Sequence, residues 1–81
     1  MEFRYIHHVE ENILDRKLSK IIVEETVLNP EKVIISRLLG RIIAQWVVRG
    51  KLLRVVYEEK QSVYIIITAY YTDKERYKWK T

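Results

Sequence analysis

The sequence predicts an α+β domain in which two N-terminal helices pack on one face of an antiparallel sheet of three to four strands, with the other face open. The main observation is the stretch 52–71, where two runs of Leu, Val, Ile and Tyr flank a charged connection and contain neither Pro nor Gly. The second is a helical spacing of apolar residues upstream, which stops at Asn29–Pro30. With 81 residues, the chain is expected to form one domain, residues 1–81.

The N-terminal third is expected to supply the two helices. Residues 2–6 fit either a short edge strand or the start of the first helix, which the spacing of apolar side chains predicts over residues 7–17. Ser19 is a suitable N-cap for a second helix, residues 20–28. The β-branched residues of this segment would also tolerate a strand. Three of its side chains are expected to face the sheet: Ile21, Val27 and Leu28.

The strands are expected to follow one another along the rest of the chain. Residues 32–37 fit a short strand and residues 41–49 a longer one, and the stretch 52–71 supplies a hairpin. Residues 73–81 alternate basic side chains with others, which fits either an extended edge strand with one basic face or a frayed terminus. These segments complete a meander of antiparallel strands.

The two connections in this meander predict how its strands align. Gly50–Lys51 fits a two-residue type II′ turn, because Gly stands at the first central position, and such a turn pairs Val48 with Leu53. In the second hairpin the apolar faces agree when Tyr57 lies across from Val63. That alignment leaves a connection of odd length, so a bulge is expected there.

Side-chain alternation divides the predicted sheet into two faces. Leu53, Val55 and Tyr57 belong to the apolar face, which the helices are expected to cover. The opposite face is mixed, and it collects Gln45, Arg49, Arg54, Thr68 and Tyr70. A charged Arg between two strongly apolar strands is either solvated or available to bind an anion.

Charge is unevenly distributed along the chain, whose net charge is +4. Residues 1–36 carry five basic and seven acidic side chains, whereas residues 37–81 carry ten basic and four acidic ones. This asymmetry fits a polyanion-binding face, and it equally fits a solvated sheet surface. The absence of Cys excludes disulfides and thiolate metal sites. The absence of a long apolar run or a signal-peptide pattern predicts no membrane segment and a cytoplasmic location.

Four short segments carry a family resemblance. They are residues 8–19, which begin His-Val-Glu-Glu and end Asp-Arg-Lys-Leu-Ser, residues 27–33 (VLNPEKV), residues 52–56 (LLRVV) and residues 66–70 (IITAY). In this order they resemble a small bacterial and archaeal domain of unknown function that is grouped with the barnase, colicin and RelE-like ribonucleases. The resemblance implies a RelE/barnase-like fold and a toxin-type ribonuclease that an antitoxin neutralises. The chain departs from that family at Asn12, where an Arg is common.

Metal-free RNA cleavage requires proton transfer and positive charge at the phosphate, and four residues are the catalytic candidates. His8 is the expected acid or base, because an ordinary His titrates near neutrality. Arg54 is expected to clamp the scissile phosphate, and Thr68 to donate a hydrogen bond to it. Tyr70 is expected to position the nucleophile or to stack on a base.

Four further basic residues are candidates for binding RNA. Arg49 would assist in clamping the phosphate, the resemblance adds Arg16, and Arg76 and Lys78 would hold the backbone from the C-terminal segment. The expected partners are RNA, either free or on the ribosome, and an antitoxin protein. No metal ion and no cofactor is expected, because the acids near the two His residues lack a metal-binding spacing.

Other interpretations of the same residues remain open. His8 could simply cap or pack, Arg54 could pair with Glu58 or with a helix carboxylate, and Trp46 fits the core. The main alternative function is a non-catalytic RNA- or protein-binding module on the same fold. A third is a structural subunit whose exposed strand edge pairs with a partner chain. The strand-rich sequence also fits a homodimer.

Overall fold

A computed structural model describes residues 2–6, 9, 18–36 and 40–72 of the chain, and these residues form a five-stranded mixed sheet with a helix on one face. The strands lie in the order β1-β5-β4-β3-β2. The elements, in chain order, are β1 Glu2–Tyr5, α1 Lys20–Leu28, β2 Lys32–Ser36, β3 Arg41–Val48, β4 Lys51–Lys60 and β5 Val63–Thr72.

The predicted fold class, two helices on an antiparallel sheet of three to four strands, is wrong. The sheet has five strands, and it is mixed because β1 pairs parallel with β5, with Phe3 beside Tyr64 and Tyr5 beside Ile66. This pairing places the two aromatic residues of β1 in line with the apolar face of β5. The predicted first helix, residues 7–17, lies outside the described residues except for Val9, which is helical and fully buried.

Helix α1 has the limits that the sequence predicts. The Ser19 hydroxyl accepts a hydrogen bond from the Ile21 amide at 3.1 Å and so caps the first turn. The backbone N–H of Asn29 donates to the backbone carbonyl of Glu25 at 2.8 Å, and Pro30 follows directly. The β-branched residues of this segment would also tolerate a strand, but the segment is a helix with a cap at each end.

The side of α1 that faces the sheet agrees with the prediction at Val27 and differs from it at Ile21 and Leu28. Ile21 and Leu28 are 74% and 51% exposed, whereas Val23, Thr26 and Val27 are buried. Thr26 was not among the residues expected to face the sheet, although it is fully buried. Its hydroxyl donates to the Ile22 carbonyl at 2.8 Å, so the polar atom is satisfied inside the helix and the methyl group can pack.

The β3–β4 hairpin turns at Arg49–Gly50, with Val48 opposite Lys51. Both turn residues have positive φ, 51° and 78°, as a type I′ turn requires, so the predicted type II′ turn at Gly50–Lys51 is wrong. The predicted register, Val48 opposite Leu53, is also wrong, by two residues. Because side chains alternate with period two, this shift leaves every side chain of the hairpin on its predicted face.

The β4–β5 hairpin turns at Gln61–Ser62 and contains a bulge in its middle. Val56 lies opposite Thr68, but the next residue, Tyr57, lies opposite Ile66, so Ile67 is the extra residue of β5. The predicted alignment of Tyr57 with Val63 is therefore wrong, although a bulge was expected. Its place inside the ladder, and not in the connection, moves Ile66 to the face that α1 covers.

The hydrophobic core lies between α1 and one face of the sheet, called here the core face. Val23 and Val27 of the helix belong to one buried cluster with Ala44, Val55 and other strand residues. The remaining buried members are Val9, Leu18, Leu53, Tyr57, Ile66 and Ala69. Burial of each large aliphatic side chain contributes about 1.5–3 kcal/mol. No helix of the described residues has both the length and the apolar character needed to cross a membrane.

Candidate functional site

The face of the sheet opposite α1, called here the polar face, collects most of the charge on the described strands. By register it carries five cationic side chains, Arg4, Lys32, Arg41, Arg54 and Lys60, and two carboxylates, Glu2 and Glu58. The core face of the same strands carries only one cation and one carboxylate, Lys51 and Glu59. The polar face therefore has a net positive charge, in agreement with the basic composition of the C-terminal half.

Arg54 lies at the centre of the polar face, on β4, the middle strand of the sheet. Gln45 of β3 pairs with it on one side and Tyr70 of β5 pairs with it on the other. The guanidinium carbon of Arg54 lies 5.9 Å from the centroid of the Tyr70 ring. This cation–π contact holds the guanidinium group over the strand ladder and contributes about 0.5–2 kcal/mol.

The row around Arg54 is buried, although it lies on the face opposite α1. Arg54 is 8% exposed, Gln45 is 2% exposed, and Leu52, two residues before Arg54 on the same face, is fully buried. Leu52 does not belong to the core cluster beneath α1. The middle of the polar face is thus a packed, polar site in which a charge is held in a fixed position.

The strand register brings together three of the four predicted catalytic residues. Arg54 and Tyr70 are direct cross-strand neighbours, and Thr68 lies in the next row, opposite Val56. All three point to the polar face, because residues that pair across strands share a face. The grouping predicted from alternation thus agrees with the ladder on the C-terminal side of the bulge, where Thr68 and Tyr70 lie. On the N-terminal side the bulge reverses the predicted faces of β5, so Ile66 lies on the core face.

The other predicted site residues are not part of this row. Arg49 is exposed and stands in the turn after β3 with a φ of 51°, beyond the last ladder pair. His8, Arg16, Arg76 and Lys78 lie outside the described residues.

Acidic partners of the polar face are engaged with its peripheral cations. Glu58 lies 3.5 Å from Arg41 and 3.8 Å from Lys60, and Glu2 accepts a 2.8 Å hydrogen bond from Arg4. The interpretation that Glu58 serves as the partner of Arg54 finds no support in these contacts. All of these pairs are partly or well exposed, so each contributes at most about 1 kcal/mol.

Four cations of the polar face, Arg4, Lys32, Arg41 and Lys60, were not selected as site residues from the sequence. Arg41 could have been found, because it lies an even number of residues from Gln45 on the same strand and so shares its face. Lys32 could not, because its face depends on the register of β2 with β3, where it pairs with Gln45.

The titratable side chains of the described residues form no metal-binding cluster, and the pKa of Tyr57 is raised. Among residues 2–6, 9, 18–36 and 40–72, no three His, Cys, Asp or Glu side chains cluster as a metal site would require. Burial raises the pKa of Tyr57, and the nearby Tyr64 and Glu59 raise it further. Tyr57 lies on the core face, away from Arg54, so its hydroxyl stays protonated as part of the packing.

Compared with known proteins, the chain matches no protein-family model, no curated protein and no solved structure. The resemblance to the ribonuclease-like domain therefore rests on its sequence segments alone.

Proposed function

We propose that this protein binds RNA through its polar face, with Arg54 at the centre of the binding surface. The observation that carries the proposal is the row of Gln45, Arg54 and Tyr70, in which a guanidinium group is packed beside an aromatic ring. Arginine presents a planar set of donors that matches a phosphate, and aromatic rings accept unstacked bases. The two groups occur side by side here, as single-stranded RNA requires.

The peripheral charges support the same ligand. Lys32 lies at the end of the central row, beside Gln45, and Arg41 and Lys60 lie farther along their strands on the same face. The side chain of Lys60 is exposed to solvent. Long-range attraction from such a surface speeds association with RNA and depends strongly on salt. Thr68, which is partly exposed, adds a hydroxyl group that can contact sugars or base edges.

A second candidate function is the metal-independent, toxin-type ribonuclease that the sequence resemblance implies. One specific observation favours it: Arg54, Thr68 and Tyr70, predicted together as catalytic residues, occupy adjacent rows of one face. In that mechanism Arg54 would stabilise the negative charge on the phosphorane, and His8 would transfer a proton. An antitoxin protein would then inhibit the enzyme by covering this face. RNA binding is the first proposal because it needs only the residues of the polar face.

RNA binding is tested by fluorescence anisotropy with a short labelled single-stranded RNA over a series of salt concentrations. The variant Arg54→Met removes the charge and keeps a long side chain, and Lys51→Met is the matched control on the core face of the same strand. Arg54→Met is expected to weaken binding at least tenfold and to lower the salt slope by about one phosphate contact. Lys51→Met is expected to bind as the wild type. Equal losses in both variants would contradict the proposal.

Cleavage is tested separately, by incubating the protein with total RNA in EDTA beside His8→Ala and Arg54→Lys. Loss of cleavage in both variants, with RNA binding retained by His8→Ala, would establish the ribonuclease. RNA binding without cleavage by the wild type would leave the binding module as the function of free protein. Ribosome-bound RNA is the second substrate to be compared under the same conditions.

A further inference from the structure

The two edges of the sheet differ in their side chains. The β1 edge carries Glu2 and Arg4, which form an exposed ion pair at 2.8 Å. The β2 edge carries the run Val33, Ile34 and Ile35, which are 44%, 37% and 66% exposed. Proteins commonly protect a free strand edge with charge, Pro or a bulge, because its backbone donors and acceptors can pair with another strand. The central residues of β2 have none of these protections.

The exposed apolar surface extends from β2 onto the side of the molecule that α1 covers. Val33 and Ile35 share a face with Ala44 and Ile42, their partners on β3, and so point to the same side as the helix. Leu28, the last residue of α1, is 51% exposed and is followed by β2 after three residues. An apolar surface beside an open strand edge is a frequent site of protein–protein association.

We propose that β2 pairs antiparallel with β2 of a second copy of this chain, about a two-fold axis at Ile34. In this register Ile34 lies opposite Ile34 of the other copy, Val33 lies opposite Ile35, and Lys32 lies opposite Ser36. No like charges meet, and every apolar residue of the edge meets another, so the edge is self-complementary as a two-fold interface requires.

The proposed register is possible whichever residues of β2 direct their backbone N–H and C=O groups away from β3. In an antiparallel ladder, every second residue of an edge strand such as β2 directs its backbone N–H and C=O groups away from the neighbouring strand. If residues 32, 34 and 36 point outward, residue 34 forms hydrogen bonds with residue 34 of the other copy, and residue 32 with residue 36. If residues 33 and 35 point outward, residue 33 of one copy forms hydrogen bonds with residue 35 of the other. Both cases place the two-fold axis at Ile34.

The dimer has a defined geometry. A two-fold axis perpendicular to the sheet joins two five-stranded sheets into one continuous sheet, with both copies of α1 on one side. The two polar faces then lie side by side on the other side. This assembly does not depend on what the polar face binds, since the interface is formed by β2 alone.

The absence of Cys in the wild-type chain allows a direct test by cross-linking. In the proposed register, the two copies of residue 34 have Cβ atoms about 4.5–5.5 Å apart, which is within reach of a disulfide bond after small adjustment. Ile34→Cys is therefore expected to give a covalent dimer under mild oxidation. Glu2→Cys, a single exposed Cys on the β1 edge, is the matched control and is expected to remain largely monomeric. Equal cross-linking of the two variants would overturn the proposal.

Sedimentation equilibrium of the protein without added Cys provides the second measurement. The wild type is expected to sediment with twice the mass of one chain, and Ile35→Lys, which changes an exposed side chain, is expected to sediment as a folded monomer. Ile21→Lys makes the same change at an exposed position of α1 and is expected to stay dimeric. A monomeric wild type would overturn the proposal. Dissociation by Ile21→Lys but not by Ile35→Lys would assign the contact to the helix and would also overturn it.

Discussion

At the scale of the single residue, Arg54 connects the sequence with the proposed function. Its position on the face away from the core was predictable, because side chains alternate along a strand and the apolar Leu53, Val55 and Tyr57 lie on the opposite face. Its burial to 8% was not predictable, since burial depends on neighbours contributed by other strands. The contact with Tyr70 likewise required the register of β4 with β5, which includes the bulge.

Thr26 is a residue at which sequence reasoning and structure disagree. The helical spacing predicts that Ile21, Val27 and Leu28 face the sheet, and Thr26 is not among these residues. The hydrogen bond from Thr26 to the Ile22 carbonyl removes the cost of burying the hydroxyl. The residue then behaves as a small apolar side chain, and Val23 and Val27 beside it face the sheet.

The raised pKa of Tyr57 predicts a loss of stability in alkaline solution. Burial, with smaller electrostatic contributions from the neighbouring Tyr64 and Glu59, raises the pKa of Tyr57 above the ordinary 10.0, so the folded state holds the proton more tightly than the unfolded state. This contribution to stability is complete below pH 10 and is lost as the pH rises toward the pKa of the folded state. Thermal unfolding across this range is expected to show a steeper alkaline decline for the wild type than for Tyr57→Phe. Parallel declines would contradict the assignment.

At the scale of the element, the extents of α1 and β3 follow closely from the sequence. In contrast, β4 continues through residues 58–60, which the sequence assigns to the charged connection, and the alignment of the strands does not follow from the sequence. Capping at Ser19 and the stop at Pro30 define α1, and apolar alternation defines the long strands. The turn at Arg49–Gly50 was misplaced by one residue, because Gly can supply positive φ at either central position. A non-Gly residue at the other position, here Arg49, carries no sequence signal that distinguishes the two choices.

The two hairpin turns allow a reciprocal test of backbone conformation. Ser62 and Gly50 both stand at the second central position, with φ of 67° and 78°. Ser62→Gly is expected to raise the free energy of unfolding by up to about 1 kcal/mol, because Gly adopts positive φ without a steric penalty. Gly50→Ser is expected to lower it by about 1 kcal/mol through the backbone alone, since a Cβ there meets no atom within 4 Å.

Chemical denaturation of the two variants beside the wild type measures both effects. The sign of the change is the decisive observation. Stabilisation by Gly50→Ser, or a loss of stability in Ser62→Gly, would show that the two turns do not have the proposed conformation.

At the scale of the whole molecule, the parallel pairing of β1 with β5 is the feature that sequence patterns could not supply. Glu2 and Val63 are neighbours in the sheet although some sixty residues separate them in the chain. Local alternation describes each strand separately and contains no information about which distant strand it joins. The site was accessible to prediction to the extent that it lies on the local hairpins, as Arg54, Thr68 and Tyr70 do.

The attachment of β1 to the rest of the molecule involves α1 as well as β5. The Tyr5 hydroxyl donates to the Glu24 carboxylate at 2.7 Å, and the Lys20 ammonium group lies 4.7 Å from the Tyr5 ring centroid. Tyr5→Phe removes the hydrogen bond and keeps the ring, so it is expected to lower the free energy of unfolding by about 1 kcal/mol. Urea denaturation of Tyr5→Phe, Glu24→Gln and the double variant gives the coupling between the two residues. Full additivity of the single changes would contradict a direct contact.

The central claim, that RNA binds on the polar face around Arg54, is tested most directly by an NMR titration of the ¹⁵N-labelled protein with single-stranded RNA. The side-chain amide of Gln45 and the Nε–H of Arg54 report on the polar face, and the indole N–H of Trp46 reports on the core face. Binding as proposed will shift the Gln45 and Arg54 signals progressively and leave the Trp46 signal in place. Shifts confined to Trp46 and to the amides of α1, or no shifts at RNA concentrations that saturate the anisotropy, would contradict the claim.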